Sequence, residues 1–155
     1  FIQQSQASKI LYLDIKKSKK SIADSLLVLM EEFKNHKNII IADENILFLA
    51  YLKSRNSTIK VALEGFNKGK EWLHYGIPKS FKPDFYASFL SKIDKNHMLF
   101  LKKNNLIKNK IVYGVTHKNI SKVLDFGIQN IIIDYDASLG NIQEIEEDLS
   151  KNKQH

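Results

Sequence analysis

Short apolar runs alternate with helical patterns along most of the chain. Six runs of four to six mostly aliphatic residues, each bounded by polar positions, are typical of buried strands. Between them, apolar residues recur at spacings of three and four, as on one face of an α-helix. The pattern predicts strands at residues 10–15, 39–42, 59–63, 84–87, 110–115 and 130–134.

The segments between the strands predict helices, and two of these helices carry terminal signals. Ser21 and Asp24 resemble a capping box at the start of the first helix. After the fifth strand, Asn119 is predicted to cap a helix and Gly127 to end it, since a residue with positive φ is needed there. The apolar positions of the helices are Ile22, Leu26, Leu29, Met30 and Phe33; Ile46, Leu47, Leu49 and Leu52; Ile93, His97, Phe100 and Leu101; Ile120, Val123 and Leu124; and Ile142, Ile145 and Leu149.

Strand–helix alternation with short connections predicts a mostly parallel sheet in one α/β domain, residues 1–150, with a polar tail at residues 151–155. The strands are uniformly apolar, so both faces of the sheet should be covered. Periodicity alone leaves two architectures open: an open doubly wound sheet, or part of a closed (β/α)₈ barrel. The chain has 155 residues, fewer than the roughly 200 that a complete barrel usually needs.

Composition narrows the function classes. The absence of Cys excludes thiolate metal sites, cysteine nucleophiles and disulfides. The net charge of +7 comes almost entirely from lysine, and Arg55 is the only arginine, which argues against a nucleic-acid reader. No apolar run is long enough to span a membrane. Because the first residue is Phe, we expect the chain not to begin at a natural start codon.

Polar side chains collect where the predicted strands end, which is where parallel α/β proteins bind ligands. Clustered carboxylates there suit Mg²⁺ or Ca²⁺, and a nearby lysine could neutralise a phosphate. The alternative for such residues is helix capping, which we favour for Asp43, while both readings remain open for Asp14. The residues at the strand ends are Asp14, Lys16, Asp43, Glu44, Glu64, Ser88, Tyr113, Thr116, Asp134 and Asp136.

Two further features have plain structural interpretations. His97 lies on an apolar helix face and is predicted to be a core histidine with its hydrogen bonds satisfied. The lysine-rich residues 91–122 could attract an anionic ligand or a membrane surface, although a solvated helix face explains them more simply. No dinucleotide-binding loop, phosphate-binding loop or helical zinc motif occurs.

Two segments resemble the glycerophosphodiester phosphodiesterases, which are TIM barrels. Residues 11–16, Leu-Tyr-Leu-Asp-Ile-Lys, are similar to that family's L-x-[IL]-E-I-K strand. Residues 112–116 and 127–135 resemble its V-x-x-W-T-V-N strand and its G-V-D-G-I-I-T-D-x-P ending. Order and spacing agree over nearly all of the chain. The sequence is divergent, with Gly114, Thr116 and Asn130 at positions where the family has other residues.

The resemblance implies a TIM barrel of which this chain covers about strands three to eight. The family's H-R-G and E-x-D motifs belong to the first two strands, and we expect these to be absent from the chain. By position, Asp14 would bind a divalent metal, Mg²⁺ or Ca²⁺, and Lys16 would be the catalytic lysine near the phosphate. Tyr113 stands where the family has a tryptophan lining the glycerol side of the site. From its strand-end position alone, we expect Glu64 also to contact the substrate.

The resemblance also implies an activity. A complete barrel would hydrolyse a glycerophosphodiester, a small molecule, to glycerol phosphate and an alcohol. The alternatives are a non-catalytic barrel remnant that serves as a binding or scaffold domain, and a lysine-rich nucleic-acid binder. Six strands where a closed barrel has eight would leave two open sheet edges. We therefore expect an N-terminal segment or a second copy of the chain to cover them.

Overall fold

A computed structural model describes residues 10–33 and 36–133, and every structural statement concerns these residues. They form six strands and five α-helices in regular alternation. The strands are β1 (Leu11–Asp14), β2 (Ile39–Asp43), β3 (Lys60–Leu63), β4 (Phe85–Phe89), β5 (Lys110–Val115) and β6 (Asn130–Ile133). The helices are α1 (Lys20–Glu32), α2 (Ile46–Arg55), α3 (Trp72–Gly76), α4 (Lys95–Lys103) and α5 (Ile120–Asp125). Short 3₁₀ turns cover His36–Asn38, Lys79–Phe81, Leu90–Lys92 and Ile107–Asn109.

The six strands form one parallel sheet in which each strand pairs with the next along the chain. Leu11 is paired with Ile39 at the start of β1 and β2, for example, and Tyr86 with Lys110 between β4 and β5. A doubly wound sheet has a point where the strand order reverses, and this sheet has none over the described strands. The order is that of a barrel wall.

The distribution of the cores supports the same architecture. Buried residues of α1, α2, α4 and α5 join one face of the sheet in a single large cluster, which includes Met30, Leu49, Leu101 and Val123. The cluster on the opposite face consists of strand residues alone. Because the described helices all pack on one face, the sheet curls into part of a (β/α) barrel, and the predicted TIM-barrel type fold over six strands is confirmed.

Small side chains fill the inner face of the curled sheet. Ala42, Ala62 and Ala87 occupy neighbouring strands there and are fully buried, with Ile40 and Ile111 beside them. The interior of a barrel is a packed core in which side chains from adjacent strands meet. Alanine at the centre therefore leaves room for the larger Tyr12 and Tyr113 that pack against this cluster.

The terminal signals of the helices were predicted with mixed success. Gly127 has φ +79°, and the amides of Gly127 and Ile128 bond back to Leu124 and Val123, so the predicted helix end is confirmed. The capping box at Ser21 and Asp24 was wrong. Helix α1 begins at Lys20 without a side-chain cap, and Asp24 instead bonds to Lys20 and Tyr51.

The cap of α5 is also different from the prediction. Asn119 occupies the capping position, but its side chain makes no capping hydrogen bond to the helix. It accepts from the amide of Thr116 and donates to the carbonyl of Gly114 instead, so it closes the loop before the helix.

Several predictions lie outside the described residues. They concern Asp134, Asp136, the helix predicted around residues 142–149 and the tail at residues 151–155. Within the described part of the chain, none of the helices is long and apolar enough to cross a membrane.

Candidate functional site

A polar cleft of about 280 Å³ opens at the carboxyl ends of β1, β2 and β3. In parallel α/β proteins and TIM barrels, this end of the sheet is where ligands bind. Four carboxylates and a lysine that the sequence placed at strand ends thus meet in one cavity. The cleft is lined by Asp14, Ile15, Lys16, Ser18, Asp43, Glu44, Asn45 and Glu64.

Strand alternation explains why these side chains converge. Side chains two residues apart on a strand share a face. Tyr12 packs in the inner-face cluster, so Asp14 also faces the interior side at the end of β1. Ala62 of the same cluster likewise places Glu64 on that side, just beyond β3. Tyr113 of β5 packs on the inner face as well.

Lys16 and Asp14 form an ion pair at the mouth of the cleft. The Lys16 side chain is 78% exposed and that of Asp14 36% exposed. The hydrogen bond from Lys16 to Asp14 is the main reason that the pKa of the lysine is raised. An ion pair this open to water contributes little to stability, so the lysine is free to exchange Asp14 for an anionic ligand at small cost.

Glu64 lies deeper and in a more negative environment. Burial raises the pKa of its carboxyl group, and the charges of Asp14 and Glu44 act in the same direction. The Tyr12 hydroxyl donates a hydrogen bond of 3.0 Å to Glu64 Oε1, which partly opposes this rise. Burial, reinforced by Glu64, raises the pKa of the Tyr12 hydroxyl as well, so Tyr12 remains a donor at neutral pH.

Tyr113 borders the same group of carboxylates. Burial raises the pKa of Tyr113 to about 12, helped by the charges of Glu64, Glu44 and Asp14. Its ring packs edge-on against the half-exposed ring of Phe89, with 4.2 Å between the centroids. The four predicted site residues, Asp14, Lys16, Glu64 and Tyr113, are therefore neighbours, while their roles stay predictions.

Asp43 has a structural role that differs from the predicted one. Asn45, not Asp43, caps α2, because its side chain accepts from the amides of Leu47 and Phe48. Asp43 is 3% exposed and accepts hydrogen bonds from Ser18 Oγ, at 2.7 and 2.9 Å, and from the Asn45 amide at 2.7 Å. It thus joins the loop after β1 to the end of β2 and shapes the floor of the cleft.

Sequence reasoning did not identify two side chains at the site, Lys70 and Tyr12. Gly65, with φ +65°, turns the chain beside the cleft, and a Cβ there would lie 3.2 Å from Lys70 Nζ and 3.7 Å from Glu44 Oε1. Lys70 is therefore a second cation close to the cleft. Tyr12 was predicted only as a strand residue. The alternation of β1, with Tyr12 two positions before Asp14, was the available signal.

The described residues that line the cleft include no histidine. His74 and His97 lie among the side chains that pack between sheet and helices, where they contact Tyr86 and Glu71. His97 is fully buried, so its predicted core position is confirmed. The prediction that its hydrogen bonds are satisfied was wrong for one atom, because Nε2 has no partner among the described residues.

The donor set of the cleft agrees in kind with an oxygen-preferring divalent cation. Burial raises the pKa of Glu64, the charges of Asp14 and Glu44 raise it further, and a bound cation would relieve that repulsion. Among the described residues, however, no three His, Asp or Glu side chains already stand in an arrangement that could hold a metal. Asp14 could thus supply one ligand of a site that needs further oxygen donors.

Comparisons with known proteins locate this architecture. A candidate glycerophosphodiester phosphodiesterase from Galdieria sulphuraria superposes with a TM-score of 0.68 at 15% identity, covering 86% of this chain and 56% of that chain. A candidate glycerophosphoryl diester phosphodiesterase from Silicibacter pomeroyi DSS-3 gives a TM-score of 0.66 at 12% identity, covering 91% of this chain and 51% of that one.

The chain has a divergent glycerophosphodiester phosphodiesterase-like fold. It spans slightly more than half the length of these two solved chains. At such low identity the likeness concerns the glycerophosphodiester phosphodiesterase-like fold and not the chemistry. No protein-family model matches the sequence, and no curated protein matches it either.

Proposed function

We propose that the cleft binds a glycerophosphodiester and that the complete barrel hydrolyses it to glycerol phosphate and an alcohol. The observation that supports this most is the convergence of Asp14, Lys16 and Glu64 in one cavity at the carboxyl ends of the strands. The fold is shared with two candidate phosphodiesterases. The proposal makes the chain the larger part of a metal-dependent phosphoric diester hydrolase.

Lys16 would bind the phosphodiester through its ammonium group. The Lys16 side chain is exposed, and a phosphate oxygen offers it the same kind of charge-assisted hydrogen bond as the Asp14 carboxylate. Lys70 is a second cation near the cleft, because its Nζ and Glu44 Oε1 both lie within 4 Å of the point that a Cβ at Gly65 would occupy. Lys16 and Lys70 together would counter the repulsion that the cleft carboxylates exert on phosphate.

Glu64 and Tyr113 would hold the glycerol part of the substrate. A carboxylate accepts hydrogen bonds from two neighbouring hydroxyl groups, and the Tyr12 hydroxyl occupies only Glu64 Oε1. The aromatic pair of Tyr113 and Phe89 provides an apolar wall for the carbon chain. These contacts orient the substrate, which is the contribution that fixed side chains make to catalysis.

Asp14 would contribute a carboxylate ligand to Mg²⁺ or Ca²⁺, and Glu44, which lines the same cleft, is a candidate for a second. A divalent cation bound there supplies Lewis-acid stabilisation of charge on the phosphoryl oxygens. By the family resemblance, the general acid and base would be two histidines outside this chain, and no histidine is among the described residues that line the cleft.

The test is hydrolysis of glycerophosphocholine and glycerophosphoethanolamine by the protein at its full natural length, with Mg²⁺ or Ca²⁺ and with a chelator. We expect release of glycerol phosphate that the chelator stops. Asp14→Ala should abolish turnover, and Lys16→Met should weaken substrate binding. Glu31→Gln, at an exposed carboxylate on α1, is the matched control and should leave the rate unchanged. Full activity of the Asp14→Ala protein would contradict the site assignment.

The absence of histidine from the described cleft residues favours one alternative, a non-catalytic barrel that binds a ligand or partner. It predicts no turnover of any glycerophosphodiester with either metal. It also predicts that glycerol phosphate binds to the protein with an affinity that Lys16→Met reduces. Hydrolysis above the rate of the Asp14→Ala variant would exclude this alternative.

The sheet edges suggest a partner of a simple kind. Within the described residues, β1 and β6 each have one hydrogen-bonded neighbour. Unpaired strand edges pair readily with another strand. The proposal therefore includes further strands, either from the same polypeptide or from a second copy of this chain. Sedimentation of the full-length protein separates the two, since only the second requires a dimer.

A further inference from the structure

Lys110 is buried although it is a charged residue at the start of a strand. Its side chain is 0% exposed and lies on the helix-facing side of the sheet, where Tyr86 is its paired residue on β4. The Nζ atom donates to the carbonyl oxygen of Phe66 at 2.8 Å and to Ser88 Oγ at 2.6 Å. The Phe66 ring lies 5.8 Å away, within reach of a cation–π contact.

Burial of a lysine is costly, so the two hydrogen bonds need an explanation. Taking an ammonium group out of water lowers its tendency to stay charged, and burial lowers the pKa of Lys110 to about 7. A methionine or leucine at this position would fill the same space without that penalty. A lysine has a terminal donor that methionine and leucine lack, and here that donor reaches the carbonyl of Phe66, 44 residues away in sequence.

That backbone atom belongs to the turn that carries Glu64. Gly65 directs the chain from the end of β3 with a φ of +65°, and the Phe66 amide donates to the carbonyl of Ala87 at 3.0 Å. The Phe66 ring packs 4.4 Å from the ring of Tyr86. Lys110 adds a hydrogen bond to the carbonyl of Phe66, on the other side of this turn. Glu64 is two residues before Phe66.

We propose that Lys110 is a positioning residue that holds the turn of residues 64–66 and thereby sets the place of the Glu64 carboxylate in the cleft. It touches no ligand itself, since it lies on the other face of the sheet. Any effect of Lys110 on turnover rests on the proposed function of the cleft. Its effect on the structure of the turn does not, so a failed test of the turn and a failed test of the proposed function can be distinguished.

A serine beside a lysine of lowered pKa is also the arrangement of a nucleophilic dyad. That interpretation fails on access, because Ser88 and Lys110 are both 0% exposed and no substrate can reach the hydroxyl. The other titratable groups packed nearby are Tyr86, whose ring lies 4.4 Å from that of Phe66, and His97 of α4, which feels the charge of Lys110. His74 is bonded to Tyr86 and Glu71 to His97.

The experiment is site-resolved amide hydrogen exchange of Lys110→Met, with Lys108→Met as the matched control at an exposed neighbouring lysine. We expect exchange at Gly65 and Phe66 to rise on the order of tenfold or more, the effect of one lost charge-assisted bond. Amides of α1, such as those of Ala23 and Met30, should change far less. Unchanged protection at Gly65 and Phe66, or equal acceleration everywhere, would overturn the proposal.

A measurement on the unaltered protein keeps the test decisive if the Met variant does not fold. The carbonyl ¹³C shift of Phe66 should follow the titration of the Lys110 amino group, with a midpoint near its pKa of about 7. Ser88→Ala removes one of the two partners of Lys110 and should leave that coupling in place, because the bond to Phe66 persists. A carbonyl ¹³C shift of Phe66 that does not change as Lys110 titrates would contradict the proposal.

Discussion

Replacing Asp43 with alanine removes the carboxylate that joins the loop after β1 to the end of β2. The side chain is 3% exposed and accepts from Ser18 Oγ through both oxygens, at 2.7 and 2.9 Å. It also accepts from the Asn45 amide at 2.7 Å. Asp43→Ala therefore deletes two charge-assisted contacts on the floor of the cleft.

The expected loss follows from those contacts. A hydrogen bond to a charged group contributes about 1.5–3 kcal/mol when it is shielded from water. Because Ser18 and Asn45 are exposed and water can replace them, we count each of the two contacts as about 1 kcal/mol. We expect the free energy of unfolding to fall by about 2 kcal/mol. For a domain of this size that corresponds to a fall in Tm of about 4–8 °C.

Urea unfolding followed by circular dichroism measures this change, with an unaltered m-value expected. A double-mutant cycle with Ser18→Ala isolates the bond between the two side chains and should give a coupling of about 1 kcal/mol. Glu31→Gln, at an exposed carboxylate, should stay within about 0.5 kcal/mol of the unaltered protein. A loss below about 0.5 kcal/mol for Asp43→Ala, or strictly additive effects of the pair, would refute the reasoning.

Three further predictions concern the neighbours of the cleft. Burial raises the pKa of Glu64 above 4.5 in the folded protein, so the folded state loses stability as pH rises through that pKa. In urea unfolding, the free energy of unfolding of Glu64→Gln relative to the unaltered protein should therefore be higher at about pH 8 than at about pH 4. An equal difference at both pH values would contradict this. Tyr12→Phe removes the hydroxyl that donates to Glu64 and should raise the pKa of Glu64 further in a ¹³C carboxyl titration, whereas a fall would show that the bond is absent. Gly114→Ala should cost about 1–2 kcal/mol of stability, because φ is +72° and the new Cβ would lie 2.9 Å from Phe89 Cδ1; a variant as stable as the parent would disprove the strain.

The strands could be predicted from sequence because burial on both faces leaves a direct signal. Residues 39–42 are uniformly aliphatic, and the whole of β2 is buried, with Asp43 added at its end. Which strands pair is a different matter, since hydrophobicity reports which side chains avoid water and not which strand lies next to which. The choice between an open sheet and a barrel was therefore settled by the structure and, in advance, only by the resemblance to a known family.

The site was predicted in outline for a similar reason. Parallel strands bring their carboxyl ends to one edge of the sheet, so Asp14, Lys16 and Glu64 could be placed together from their positions alone. Lys110 could not be found this way. A lysine in a basic stretch indicates a solvated face, and its burial depends on a carbonyl at Phe66, which no local pattern connects to it. The sequence placed Lys110 at the start of a predicted strand but also within the lysine-rich residues 91–122, and the interpretation of that stretch as a solvated face is wrong for Lys110, which is fully buried.

The choice of helix caps shows the same limit at short range. Asp43 and Asn45 are both good capping residues and lie two positions apart. The structure assigns the cap to Asn45, because the carboxylate of Asp43 is directed towards Ser18 on the neighbouring loop. A contact across 25 residues decided between two equivalent local signals.

The central claim is that the cleft at the carboxyl ends of β1, β2 and β3 binds the glycerol phosphate part of a glycerophosphodiester. The most direct measurement is an amide NMR titration of the full-length protein with sn-glycerol 3-phosphate in the presence of Ca²⁺. The account predicts shifts at residues 14–18, 43–45 and 64–65, with Lys16→Met weakening the binding. Shifts confined to the opposite ends of the strands, or none at millimolar ligand, would contradict it.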